Sequence, residues 1–203
     1  FLAYILQGVY KGVFTMNKNE EDKIRNAYVK LAEQEEYNIP GVHILDNAKV
    51  RGNAKVYEGA KVYENALISD DAQVYGGARV SGNAEVYGNA IIQYYAVVKG
   101  DAQVYGNARV TGDAKVGGRA RVYDDAVIDG AANISGRAWV RGQAEVWGGA
   151  RVYGKADISG GARVSGDAKV GGNANISGSA NILGGIWNGS EGANHRGYLE
   201  VPY

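Results

Sequence analysis

The chain has no cysteine, so disulfides and thiolate metal sites are excluded, and a reducing, cytoplasmic setting is the expectation. Proline is nearly absent, with two in 203 residues, so little would interrupt backbone ladders. Histidine is scarcer than most metal or acid–base sites require, again with only two. Charge of either sign is not in excess. Twenty-two basic residues face twenty-two acidic ones, leaving no net charge to draw nucleic acid or a membrane surface non-specifically. No apolar run approaches the ~20 residues that a membrane helix needs.

What is present is glycine, 31 residues of it, and a period. From Gly41 to Gly184 one six-residue unit is written twenty-four times without insertion or deletion. Examples are Asn83-Ala84-Glu85-Val86-Tyr87-Gly88 and Asp101-Ala102-Gln103-Val104-Tyr105-Gly106. The second position is Ala in every unit but the first, which has Val42, and the fourth is always Val or Ile. The sixth is Gly in eighteen units, and the first is mostly Asn, Asp or Gly. Positions two and four stand two apart, so in an extended segment both point to one face while three and five point to the other. The sixth and first positions form a corner, because Gly, Asn and Asp all tolerate positive φ. A short strand and a corner, repeated, must wind into a solenoid with Ala and Val inside.

These units resemble the hexapeptide repeat of left-handed parallel β-helix proteins, in which an aliphatic residue is followed four places later by a small one. Val50 to Ala54, Val56 to Ala60 and Val62 to Ala66 stand in that relation. The resemblance implies three units per triangular coil and a left-handed winding. The fold expected is therefore an all-β solenoid of about eight coils, roughly 38 Å tall at the usual strand spacing. Each coil would touch only its neighbours, so the open ends need caps.

The flanks divide the remainder. Residues 1–15 are apolar, lack the basic start of a signal peptide, and precede the only Met, Met16. They are expected to be either an upstream extension of the reading frame or a segment capping the first coil. Residues 16–40 hold a predicted helix and lead-in. Asn17 with Glu20 fits a capping box, Ile24, Ala27, Tyr28, Leu31 and Ala32 form an apolar stripe, and Pro40 bars continuation. Residues 41–184 are the repeat. In 185–203 the rhythm ends, and Ile186, Trp187, Tyr198, Leu199 and Val201 are candidates to close the far end.

Outward residues eighteen apart should stack. One face then carries His43, Lys61, Arg79, Val97, Lys115, Asn133, Arg151 and Lys169, with Lys99 beside them. That stripe is a candidate surface for an extended anion or acidic glycan, set against the ordinary reading of charges as a solvated face. No nucleic-acid motif accompanies it. A second face carries Tyr87, Tyr105 and Tyr123, and the third Tyr57, Tyr75 and Trp147; such ranks suit a subunit interface or simply a β surface. One corner breaks the pattern, with Tyr94-Tyr95 where Gly and Asn are usual and with apolar Ile91 and Val97 beside it. A corner without Gly is strained unless something compensates, so these four residues are the foremost candidate for interaction.

Many proteins that share the resemblance are trimeric acyltransferases that use a histidine base and bind acyl-coenzyme A. Here the coils hold only His43, no loop interrupts them, and His195 lies in the tail beside Arg196. Related zinc enzymes need three histidines per site, more than the chain has. Two classes stay open. The first is a non-enzymatic scaffold or protein-interaction module of the kind that long arrays in bacterial and phage genomes resemble. It would need no cofactor and would pair with itself, as a trimer by family habit, or with another protein. The second is an acetyltransferase-like enzyme taking acetyl-coenzyme A, with His43 or His195 as base.

Overall fold

The computed structural model describes residues 41–57 and 59–189, together with the backbone of 194–199. All of them fall in the unit Asn38–Tyr203. The predicted helix over 17–36 and the segment 1–15 lie outside the described residues.

The repeat folds as its period dictates. The strands from His43–Ile44 to Arg163–Val164 are each two residues long, shorter than a three- or four-residue reading of the unit suggests, and every pairing between strands is parallel. Partners stand one turn of eighteen residues apart: Val97 lies between Arg79 and Lys115, and Ile91 below Arg109. Three columns result. One is a nine-stranded ladder that begins at His43–Ile44 and ends at Ile186–Gly189. The other two start at Lys49–Val50 and Lys55–Val56, and meet because the strand Asn175–Ile182 runs through a corner and belongs to both. The outcome is an all-β parallel solenoid of about eight turns, and no helix occurs among the described residues.

Each six-residue unit bonds to the turn above through up to three amides. At one corner these are Ile91 N–H to Ala108 O at 2.9 Å, Gln93 N–H to Val110 O at 3.0 Å and Tyr95 N–H to Gly112 O at 3.0 Å. Position two and position four face inward as expected. Ala and Val or Ile are fully buried from Ala60 to Ile182, with Ala156 and Ala174 at 1%. In the first turn Ile44, Ala48, Val50, Ala54 and Val56 are only partly buried, although they pack on the same core.

The corner is sharper than its sequence suggests. Among the described residues of the repeat, positive φ belongs to the sixth residue from Asp46 at 60° to Gly178 at 71°, and the first residue shares it only at Gly41 and Gly59. Side chains with a Cβ are disfavoured there. Among the described residues, four of the five non-glycine residues that accept this conformation are acidic, and each spends its carboxylate in the same way. Asp46 accepts from the Glu64 amide at 3.0 Å, Asp70 from Gly88 at 3.0 Å and Asp124 from Gly142 at 3.1 Å, while Glu64 accepts from Gly82. The carboxylate thereby satisfies an amide that the ladder leaves unpaired, which offsets the strain.

The ladder also outlasts the hexapeptide. Ile186–Gly189 stacks in register on Lys169–Gly172, and Trp187 packs on the core while its Nε1 donates to Gly184 O at 2.8 Å. Asn194–Leu199 then pairs with Asn175–Ile182, with a shift of register between Ser177 and Asn181. Trp187 thus ends the core on a ninth rung although the sequence motif has stopped, whereas Ile186, 67% exposed, turns outward and does not close it.

Candidate functional site

Parallel in-register stacking repeats every outward position at the strand spacing, so side chains form ladders up the outside. Amides and carboxylates of the first position bond upward in this way. Asn47 donates to Asn65 at 3.3 Å, Asn65 to Asn83 at 3.1 Å and Asn83 to Asp101 at 3.0 Å. Asn89, Asn107 and Asp125 repeat the pattern on another corner. These ladders tie turns together and give the recurring Asn a purpose beyond turn formation.

The tyrosine ladder has the geometry its spacing implies. The rings of Tyr87 and Tyr105 stack at 4.7 Å, and those of Tyr105 and Tyr123 at 4.9 Å, each pair within 3° of parallel. Burial of the hydroxyls within the stack holds all three phenols above the ordinary tyrosine value, and for Tyr87 the neighbouring Tyr105 and Glu85 add to it. Tyr57 and Tyr75 meet edge to face at 5.9 Å. Tyr75 continues into a polar rank, donating to Gln93, which donates to Thr111 at 3.1 Å. A stacked aromatic pair contributes about 0.5–1.5 kcal/mol beyond area burial, and Tyr105 belongs to two. Tyr105→Ala is therefore expected to lower unfolding free energy by about 1–3 kcal/mol in urea melts, and Tyr57→Ala by roughly half as much. A raised phenol means that the folded state holds its proton more tightly than the unfolded one. The stabilisation is whole below the unfolded value near 10 and falls as pH rises through the raised folded values.

At the broken corner Tyr94 takes a φ of 59° and has no carboxylate to offset it, the one non-glycine sixth residue among those described of which this is true. Tyr94 is 60% exposed and Tyr95 70%. The Tyr95 ring lies back over Gly77, where a Cβ would come within 2.7 Å of its Cδ1, so the glycine below makes room for the aromatic above. Ile91 and Val97 are half-buried, directly beneath Arg109 and Lys115 respectively. Tyr94 and Tyr95 thus form the corner, and Ile91 and Val97 flank it on two different columns with a cation above each.

The first basic stripe is brought into one column, as the register shows, but it is not continuous. Val97 and Asn133 divide it into Lys61–Arg79, Lys115 and Arg151–Lys169. Lys99 lies outside the column and reaches over Gly117. His43 is exposed on the first turn, while the backbone of His195 pairs with Ile176 on the last full turn, so the two histidines lie at opposite ends of the stack. Among the described residues no group of three potential metal ligands occurs, and no helix is long and apolar enough to cross a membrane.

The column-by-column view of outward faces missed another cluster. On the corner that carries Asn47, Asn65, Asn83 and Asp101, the next three first-position residues are Arg119, Arg137 and Lys155. Beside them lie Arg121, Trp139 and Asp157, paired in register. Together the six line an open trough of about 500 Å³. The Arg121 guanidinium sits 5.8 Å from the centre of the Trp139 ring. Asp157 is held from the side by Arg141, through Nε at 3.1 Å and Nη2 at 2.8 Å, so its charge is already answered, and the same contact keeps the Arg141 guanidinium firmly protonated. Arg119 reaches Asp101 at only 3.5 Å with both groups well exposed. Asn83 and Arg119 hold the Asp101 carboxyl below its usual range. A signal was available in the sequence: three cations at intervals of eighteen where Asn is the rule.

Fold and ladders together define a parallel β-solenoid with a regular hydrophobic core and long uninterrupted outer columns. A family model described as YdcK Beta solenoid repeat matches residues 102–118. No curated protein matches the chain. The match and the turns of parallel strand fit a hexapeptide-repeat-like β-helix family.

Proposed function

We propose that the protein is a non-enzymatic scaffold, a left-handed β-helix resident in the cytoplasm that assembles with further copies of itself through the Tyr94-Tyr95 corner. The observation that carries this reading is Tyr94. It holds a left-handed backbone conformation at a cost of about 1–3 kcal/mol. The acids at equivalent corners recover such a cost through a hydrogen bond, and Tyr94 does not. Two exposed aromatic rings beside Ile91 and Val97 supply the apolar centre of an interface, with Arg109 and Lys115 as its polar rim. The Tyr87, Tyr105 and Tyr123 face offers a second flat surface for lateral packing. A closed trimer is the expected assembly, by the habit of proteins with similar coils.

The test is light scattering on the wild-type chain and on the double variant Tyr94→Gly with Tyr95→Asn. The wild type should be a trimer at tens of micromolar, a range in which a ~micromolar interface is populated. The variant should keep its far-ultraviolet spectrum, melt no lower, and dissociate. A wild-type monomer at that concentration rejects self-association. A variant that stays trimeric moves the interface away from this corner.

A further inference from the structure

We infer that the outward face of the nine-stranded column receives the opposite corner of a second copy of this chain, acid against cation. The inference rests on the self-association proposed above and names what the face beside Tyr94 and Tyr95 meets. The chain is neutral as a whole but not across its section. That face presents Lys61, Arg79, Lys99, Lys115, Arg151 and Lys169, all exposed, and no acid occupies its outward positions from His43 to Gly171. Each turn has three sides, so the corner between the other two columns lies opposite. There stand Asp70 with Asp71 and Asp124 with Asp125, all exposed, and the other described residues of that corner are Gly, Asn, Gln and Ser. These four acids bond to neutral donors, the amides of Gly88 and Gly142 and the side chains of Asn53 and Asn107, so their charge stays in place. Arg141 stands near Asp124 but spends its hydrogen bonds on Asp157. Among the described residues neither the four acids nor the six cations enter an ion pair. Acids do border the basic face: Asp46 and Glu64 on one corner, each bonded to a backbone amide, and Asp113 and Asp167 on the other.

Register within this one chain selects a second copy as the occupant. The two acidic pairs stand three turns apart, about 14 Å along the axis. Lys61 and Lys115 also stand three turns apart, on the same two turns as the acids. A closed ring holds its copies level, so each acidic pair meets a lysine of the neighbouring copy without any shift along the axis. A shift of two or three turns would also oppose charges, on Lys99 and Arg151 or on Lys115 and Lys169. A contact that climbs in this way makes an open filament and not a ring. The other stack of cations does not fit, because Arg119 is level with Asp124 but Asn65 stands at the level of Asp70. Tyr94 and Tyr95 border the basic face on the two turns between the charged levels. The aromatic anchor therefore sits in the middle of the contact, with one charged level below it and one above.

Charge reversal in the full chain, read by light scattering at tens of micromolar, tests the contact. Asp71→Lys with Asp125→Lys reverses the corner and spares Asp70 and Asp124, whose carboxylates offset their left-handed backbone. Lys61→Glu with Lys115→Glu reverses the face. Each double variant should weaken assembly at least about tenfold, because like charges then meet. The chain carrying all four changes should regain wild-type assembly, since the charges oppose again. Arg137→Glu with Lys155→Glu is the control and should leave assembly unchanged, because the opposing corner carries Gln143 and Gly161 at those levels. All of these positions are exposed, and unchanged far-ultraviolet spectra separate lost assembly from lost fold. Double variants that assemble as the wild type does overturn this contact and leave the Tyr94-Tyr95 corner to be judged by its own variant. Failure of the four-change chain to reassemble overturns it as well, and filaments in place of rings overturn the level register. A monomeric wild type rejects self-association itself, and this contact with it.

Discussion

Ala108→Leu is expected to destabilise the fold by about 3 kcal/mol, the upper end of the usual cost of overpacking. Ala108 is fully buried, and the same position on the turns below and above is filled by Ala90 and Ala126, also fully buried. Its carbonyl accepts from Ile91 N–H at 2.9 Å, while Arg109 N–H donates to Ala126 O at 2.9 Å, so the backbone around it cannot spread without breaking rungs on both sides. A Leu there must push against atoms fixed by hydrogen bonds, not against mobile side chains. The outward neighbour is the control. Arg109 is exposed, and Arg109→Leu should stay within about 0.5 kcal/mol, as surface changes generally do. Urea melts of the two variants decide it. Equal losses would invert the assignment of inside and outside.

Gly136→Ala should cost about 2–4 kcal/mol and Gly178→Ala only about 1–2 kcal/mol, although both glycines have nearly the same backbone conformation, with φ of 69° and 71°. The left-handed penalty is common to both and drops out of the comparison. The difference is what a Cβ would meet. At Gly136 it would stand 2.8 Å from Gly154 N and 2.9 Å from Gly154 O, and that carbonyl is already bonded by Arg137 N–H at 2.7 Å. At Gly178 nothing among the described residues lies within 4 Å. The paired melt thus separates the closeness of stacked corners from the conformational freedom of glycine. Identical losses would show that the close approach of turns contributes nothing.

Much of this could be read directly from residue types. Val or Ile at every fourth position and Ala at every second left no other interior, and the unbroken period of six set the register of every rung. Which corner residue turns left-handed was not legible, because Gly and Asp occur at both the sixth and first positions, and Asn, common at the first, tolerates the same conformation. Stacking resolved it: the first-position side chains are occupied in amide ladders such as Asn47–Asn65–Asn83, which hold ordinary backbone geometry. The carboxylate caps of Asp46, Glu64, Asp70 and Asp124 were hidden for the same reason, since acceptor and donor stand eighteen residues apart. Tyr94 and Tyr95 announced themselves by departing from the repeat. Arg119, Arg137 and Lys155 depart from it equally, yet only side-by-side turns reveal that Trp139 and Arg121 lie beside them. The continuation of the stack through Ile186–Gly189 had no motif to mark it, because closing a core requires only shape and an apolar face, and Trp187 supplies both.

The direction of the backbone bonds has a mechanical meaning. Every rung is joined to the next by amides that point along the axis, while the chain itself runs across it. Tension applied between the two ends of the stack therefore loads one rung at a time, as a zipper is loaded, and not all rungs together in shear. Each turn that yields releases eighteen residues, roughly 60 Å of extended chain, and leaves the next turn in the same state as the one just lost. Such a stack gives way in equal steps at a nearly constant force. Loads carried across its sides meet many rungs at once, which makes the solenoid stiff as a spacer and yielding as a tether.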